Sequence, residues 1–137
     1  MTECIFCKIA KKEIPAKVIY EDNSALAFLD IHPLSAGHTM VIPKKHYEKL
    51  TDFAADDLKP FFAVVQKTIA MIEKGIHSYG FTLGINQGKA AGQVVEHFHF
   101  HIIPRFEGDN GSTIHSVVYN PPKESLDEIY RKIISNS

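Results

Sequence analysis

Nothing in these 137 residues repeats, no segment is of low complexity, and no shift in composition marks a linker, so a single domain, residues 1–137, is expected. No stretch approaches the apolar length of a membrane span, and the start, MTECIFCKIA, lacks the long apolar run of a secretory leader. A cytoplasmic protein with no membrane partner is therefore expected. Charge of one sign is also lacking: 15 Lys and Arg stand against 16 Asp and Glu, a formal net charge of -1. That argues against nucleic acid or an anionic membrane as the main partner and makes any polyanion site local. Cysteine is scarce. Cys4 and Cys7 form a C-x-x-C pair, which in a reducing compartment favours metal or redox chemistry over a structural disulfide. What is plentiful is apolar residues, 45% of the chain, enough for an ordinary core.

The order of elements follows from periodicity and breakers. Residues 4 to 12 read as a short helix limited by Pro15. KVIYED and SALAFLD read as strands joined by a turn at Asp22-Asn23; HPLSAGH, with Pro33 and Gly37, is a loop, and HTMVIPK a third strand. A helix from about Ala55 to about Lys74 carries Leu58, Phe61, Phe62, Val65, Ile69 and Ile72 on one stripe, with Gly75 at or near its end. FTLGIN is a fourth strand and QGKAAGQ a glycine-containing loop. Ser125 with Glu128 forms a capping box before Leu126, Ile129, Tyr130, Ile133 and Ile134, a terminal helix. Strands on short connections with one long crossing helix predict an α+β fold with a mainly antiparallel five-stranded sheet.

The fifth strand is the unusual one. In EHFHFHIIPR, residues 96 to 105, successive side chains of a strand point to opposite faces. His97, His99 and His101 then form one row, and Phe98, Phe100 and Ile102 an apolar row for the core. A histidine standing alone, such as His32, His77 or His115, reads as surface or satisfied core. Three in a row favour the neutral form, because a second positive charge nearby disfavours protonation, and neutral imidazoles are nucleophiles, bases or metal ligands.

The H-x-H-x-H row, together with the blocks CIFCKIAKKEIPAKVIYED, LAFLDIHPLSAGHTMVIPKKH and INQGKAAGQ in this order, resembles the histidine-triad (HIT) family over roughly residues 4 to 106. Its Hint branch, with bacterial and archaeal relatives, is most similar. The resemblance implies the HIT fold, with one long helix, short terminal helices and sheets paired in a homodimer; Phe61 or Phe62 would lie at that interface or in the core. It also implies a hydrolase or transferase acting on the α-phosphate of a purine nucleotide of AMP type, cleaving nucleoside phosphoramidates through a nucleotidyl-histidine at His99. His101 would hydrogen-bond the phosphate and assist proton movement, and His38 would support it. The nucleotide would meet Ile5, Phe6, Ile9, Phe28, Leu29 and Ile31 around the base, Asp30 at the ribose hydroxyls, and Asn86, Gly92 and Gln93 near sugar and phosphate, beside His99 and His101. On the residues alone, Asp30 also reads as a turn residue and 86–93 as a flexible loop.

Relatives that keep the C-x-x-C resemble structural zinc proteins using Cys4, Cys7, His46 and His97, a donor set suited to a closed tetrahedral site; a redox pair is the other reading of the cysteines. No organic cofactor is implied. Two departures bear on the leaving group: Val94 stands where the family commonly has Ser or Thr, and with no Trp in the chain the Hint-type aromatic of the partner's C-terminal tail is missing. Alternative functions are a dinucleoside polyphosphate hydrolase using Lys89, Lys44 or Arg105, a catalytic metal held by the histidines, and a nucleotide-binding adaptor with vestigial activity.

Overall fold

The computed structural model describes residues 3–136. The elements are α1 (Ile5–Ala10), β1 (Val18–Glu21), β2 (Ala25–Leu29), β3 (Thr39–Pro43), α2 (Ala55–Ile76), β4 (Gly80–Gly84), β5 (Phe100–Arg105) and α3 (Leu126–Ser135). The strands form one sheet in the order β1-β2-β3-β5-β4, and every neighbouring pair is antiparallel. The α+β expectation with a five-stranded antiparallel sheet holds. No helix among the described residues is long and apolar enough to cross a membrane.

Alternation along the strands divides the core in two. Ala25, Ala27, Val41, Phe98 and Ile102 face α2, where Phe61, Val64, Val65 and Ile72 meet them. The intervening residues Leu26, Phe28 and Ile42 face the other way and are covered by Phe6 and Ile9 of α1. β2 is therefore buried on both faces from Ala25 to Phe28, which explains why its sequence lacks a polar alternation. The apolar stripe of α2 is centred on Phe61, which touches Phe53, Phe62 and Phe98 edge-on. Phe62 lies off that centre, partly exposed, against Phe100.

Three boundaries differ from the sequence reading. α1 ends at Ala10 because Lys12 takes a left-handed φ of 67° before Pro15 is reached. α2 passes through Gly75 to Ile76 and stops where His77 turns left-handed, φ 55°. β5 begins only at Phe100, so His97 and His99 precede the strand. The pairing of Val41 with Phe100, continued, would bring Pro43 opposite Phe98; Pro43 has no N–H to give, and Phe98 N–H donates instead to the Tyr47 carbonyl at 2.6 Å. Gly37, at φ 88°, turns the chain into β3 beneath the end of α2, where a Cβ would stand 2.5 Å from Ile76 Cδ1.

The capping box of α3 is present, with Ser125 Oγ accepting from Glu128 N–H and Glu128 Oε1 from Ser125 N–H. None of the residues of α3 is buried. The stability of the fold should thus rest on the α2 side of the sheet: Phe61→Ala is expected to lower unfolding free energy by about 3–5 kcal/mol in urea titrations, whereas Tyr130→Ala in α3 should change it by less than about 0.5 kcal/mol.

Candidate active site

The three histidines of 97–101 each make a bond that fixes which nitrogen carries the proton. His97 is fully buried, and its Nε2 lies 2.9 Å from the Pro43 carbonyl. A carbonyl only accepts, so Nε2 is the N–H and Nδ1 the lone pair. That lone pair faces Cys4 Sγ at 3.4 Å, Cys7 Sγ at 3.5 Å and His46 Nδ1 at 3.1 Å, while Cys7 Sγ and His46 Nδ1 are 3.2 Å apart. Burial first, then the charges of His46 and His99, push His97 down to about 4 against the opposing Pro43 bond, and a neutral imidazole is the ligating form. Burial, followed by the Cys4 thiol, pushes the Cys7 thiol up, an effect that a cation among these groups would reverse.

These four donor atoms lie within 4.8 Å of one another. A tetrahedral ion with ligand bonds of about 2.0–2.3 Å requires donor separations of roughly 3.3–3.8 Å, close to those observed, so the group fits a structural zinc site. α1 supplies Cys7, and Cys4 caps its start; His46 follows β3 and His97 precedes β5. An ion there would tie α1 to the sheet, and the His97–Pro43 bond has the form of an outer partner that orients a ligating imidazole.

His99 uses its Nδ1–H on the His97 carbonyl, 2.8 Å away, which leaves Nε2 as a free lone pair in a partly open position. The Phe6 ring stands edge-on with its centroid 5.1 Å from that of His99. A chain of two bonds reaches His101. The Leu34 N–H donates to His38 Nδ1 at 3.1 Å, so His38 carries its proton on Nε2 and donates it to His101 Nδ1 at 2.9 Å. His101 then holds its own proton on Nε2, across the ring from His38. Burial, then the charges of His99 and His38, lower His101 to about 4; burial also lowers His38, partly offset by Asp30, whose Oδ2 is 3.5 Å from His38 Nε2. A lone-pair nitrogen and an N–H therefore stand side by side on rings 5.2 Å apart.

The residues expected around a nucleotide are distributed unevenly. Asp30, directly after β2, joins His38 and His101 in a second close group of polar side chains. Ile5, Leu29 and Ile31 are exposed, Ile31 to 83%, whereas Phe6, Ile9 and Phe28 are core residues. Asn86 is exposed after β4 and lines a cavity with His101. Gln93 is occupied: its Oε1 accepts from Gly88 N–H at 2.8 Å and its Nε2 donates to the Glu48 and Val95 carbonyls, both at 3.1 Å, so it braces the 86–93 loop. Gly92 takes φ 93° within that loop. Of the cations considered for a phosphate chain, Lys44 pairs with Glu21 at 2.7 Å and Arg105 with Asp109 at 2.8 Å. Pro43 and Leu34, which fix two of the tautomers, escaped sequence reading because both act through the backbone.

The HIT domain family matches residues 11–108. An uncharacterized HIT-like protein of Methanocaldococcus jannaschii is 48% identical over 130 residues, 95% of this chain and 98% of that protein. The adenylylsulfatase HINT3 of Arabidopsis thaliana is 43% identical over 107 residues, 78% of this chain and 54% of that protein. Among solved structures, a member of the HIT family from Bacillus subtilis superposes with a TM-score of 0.85 at 37% identity, covering 98% of this chain and 96% of that one. A Zn-bound histidine triad family protein from Mycobacterium smegmatis does so with a TM-score of 0.73 at 34% identity, covering 98% of each. The chain belongs to the HIT family.

The depressed His101 has a consequence for stability. Its ordinary value is 6.5 and its folded value about 4, so between these limits the unfolded chain binds more protons and stability falls as pH falls. The urea midpoint of the wild type should drop between pH 7 and pH 4.5, and His101→Gln should drop less over the same interval. An equal drop in the two proteins would exclude this source.

Proposed function

We propose that this protein is a nucleotide hydrolase or transferase that cleaves the bond between the α-phosphate of a purine nucleotide and its leaving group, with nucleoside phosphoramidates as the substrate class. The carrying observation is the pair of opposed tautomers: the lone-pair Nε2 of His99 beside the Nε2–H of His101. His99 attacks phosphorus, forming a P–N bond while the bond to the leaving nitrogen breaks; one proton from solvent leaves with the amine. Water then cleaves the nucleotidyl-histidine, giving the nucleoside monophosphate and returning that proton. His99 keeps its Nδ1–H on the His97 carbonyl throughout, and His101 offers its N–H to a phosphate oxygen that gains charge. The adenylylsulfatase activity in the name of the Arabidopsis relative supports cleavage at an adenylyl phosphorus. In this reading Asp30 would take the ribose hydroxyls and Ile5, Phe6, Ile9, Phe28, Leu29 and Ile31 the base; the grouping of Asp30 with His38 and His101, and the exposure of Ile5, Leu29 and Ile31, support it.

Zinc in the Mycobacterium smegmatis structure supports a structural zinc held here by Cys4, Cys7, His46 and His97. A catalytic metal held by the three histidines is disfavoured, since His97 turns to the cysteines while His38 and His101 spend the facing nitrogens on each other. A homodimer is supported by Phe62, a large apolar residue of the long helix left partly exposed.

His99→Ala should abolish turnover of adenosine 5'-phosphoramidate while leaving AMP binding within about threefold by calorimetry. His101→Ala should slow it by roughly two to four orders of magnitude. Labelled substrate quenched in alkali should leave its label on His99 alone; label elsewhere would overturn the mechanism. A Cys4→Ser, Cys7→Ser double variant should lose stoichiometric zinc and melt lower, and its turnover should fall roughly 10- to 100-fold as the His97 carbonyl loses its fixed position.

A further inference from the structure

The sheet face that presents His99 and His101 is covered at one end by α1 and at the other by the irregular segment 109–117. Arg105 holds the segment, donating to both Asp109 oxygens, to Thr82 Oγ1 and to the Ser112 carbonyl. α1 is held differently. Phe6 and Ile9 pack on the sheet, and among the described residues its polar ties to the sheet side are the two sulfurs, which face His97 and His46, and the Lys12–Glu21 ion pair just past its end.

Those sulfurs are placed to reach each other. Cys4 precedes α1 with extended dihedrals, φ -71° and ψ 112°, and its side chain swings back over the first turn, where Sγ accepts from the Cys7 N–H at 3.4 Å. Both sulfurs converge on one atom, His97 Nδ1, from 3.4 and 3.5 Å.

The group is also open on one side, unlike a fully enclosed structural metal site. His46 is exposed and both cysteines are half-buried. A cavity of about 430 Å³, walled in part by Ile5, Val94 and Glu96, ends on Cys4 and His46. No Lys or Arg lines it, and the Glu3 carboxylate at its edge is partnered by Lys8 at 3.4 Å. Such an opening admits a small uncharged oxidant and disfavours an anionic one.

Resting on the structural-zinc reading, we propose that Cys4 and Cys7 are an oxidation site for hydrogen peroxide, whose disulfide releases the zinc and loosens α1 from the histidine site. A ligating thiol is deprotonated, and thiolate is the form that attacks peroxide. The Cys4 sulfur, at the opening, attacks one peroxide oxygen: an S–O bond forms, the O–O bond breaks, and the departing hydroxide takes a proton from solvent. The Cys7 sulfur then attacks that of Cys4; the S–S bond forms, the S–O bond breaks, and a second hydroxide takes a proton. The sulfurs lose two electrons, the peroxide gains them, and two waters result. Two thiolate ligands are thereby removed from the group of four. The effect reaches the nucleophile, because Phe6 of α1 stands edge-on to His99 and the His97 carbonyl fixes the His99 proton.

The test treats zinc-loaded protein with hydrogen peroxide in the presence of a chromophoric zinc chelator. One zinc should be released for each Cys4–Cys7 bond, mapped by peptide mass spectrometry as a bond within one chain. Amide exchange should quicken about tenfold in residues 5–10 while β3 and β5 keep their protection. Turnover of adenosine 5'-phosphoramidate should fall roughly 10- to 100-fold and return on addition of dithiothreitol and zinc. Cys7→Ser should stop at the sulfenic acid, trapped on Cys4 as a dimedone adduct, and glutathione disulfide, an anion, should react with the wild type more slowly than peroxide. Zinc retained in excess peroxide with both cysteines unmodified, bonds formed only between chains, or zinc release with α1 exchange unchanged would each overturn the proposal. A faster reaction with glutathione disulfide would overturn the choice of oxidant and the role of the opening with it. If the reconstituted protein holds no zinc, the zinc reading itself falls, and the switch with it. If untreated protein turns nothing over while zinc release and α1 exchange proceed as expected, only the nucleotidyl-transfer reading falls.

Discussion

The bond from His97 Nε2 to the Pro43 carbonyl is the constraint on which the candidate site depends. It decides that the other nitrogen of His97 faces Cys4, Cys7 and His46, and it holds the His97 backbone where β3 can no longer pair with it. The His97 carbonyl in turn decides that His99 carries its proton on Nδ1. A single buried imidazole thus orders a cluster of sulfur and nitrogen donors on one side and a nucleophilic nitrogen on the other. The proline is apt for both tasks: it ends the ladder for want of an N–H while its carbonyl stays available.

A second ordering chain runs from the Leu34 N–H through His38 to His101, and it ends in the opposite sense, with hydrogen rather than a lone pair toward the open side. Both chains begin at backbone groups, which cannot change protonation state. Burial lowers both His38 and His101, and the charges of His99 and His38 lower His101 further, to about 4, so proton uptake at His101 near neutral pH is disfavoured. Neighbouring rings of one residue type acquire different chemistry because different backbone atoms hold them.

Much of this was legible in the sequence. The period-two alternation of EHFHFHIIPR put Phe98 and Ile102 in the core and the histidines on the other face, and the Ser125-Glu128 box placed the start of α3. The boundaries that shifted did so through single backbone events, the left-handed Lys12 and His77 and the missing donor of Pro43, which periodicity does not register. Side-chain roles were harder to read. Gln93 and Arg105 have the chemistry of phosphate ligands, yet their partners are Glu48, Val95, Thr82, Asp109 and Ser112, some of them far along the chain. Phe6 and Phe28 sit in blocks that resemble a base pocket, and the fold buries both where α1 meets the sheet, Phe6 edge-on to His99.

The two coverings of the histidine-bearing face come from opposite ends of the chain, α1 from the beginning and segment 109–117 from nearer the close, while His101 lies on β5 and His38, His97 and His99 precede the central strands β3 and β5. The two coverings are consequently coupled to the chemistry to different degrees. Substitutions in segment 109–117 need not disturb the bonds to the Pro43 and His97 carbonyls and from the Leu34 N–H that set the tautomers, whereas changes in α1 reach the reacting nitrogen through Cys4 and Cys7 beside His97.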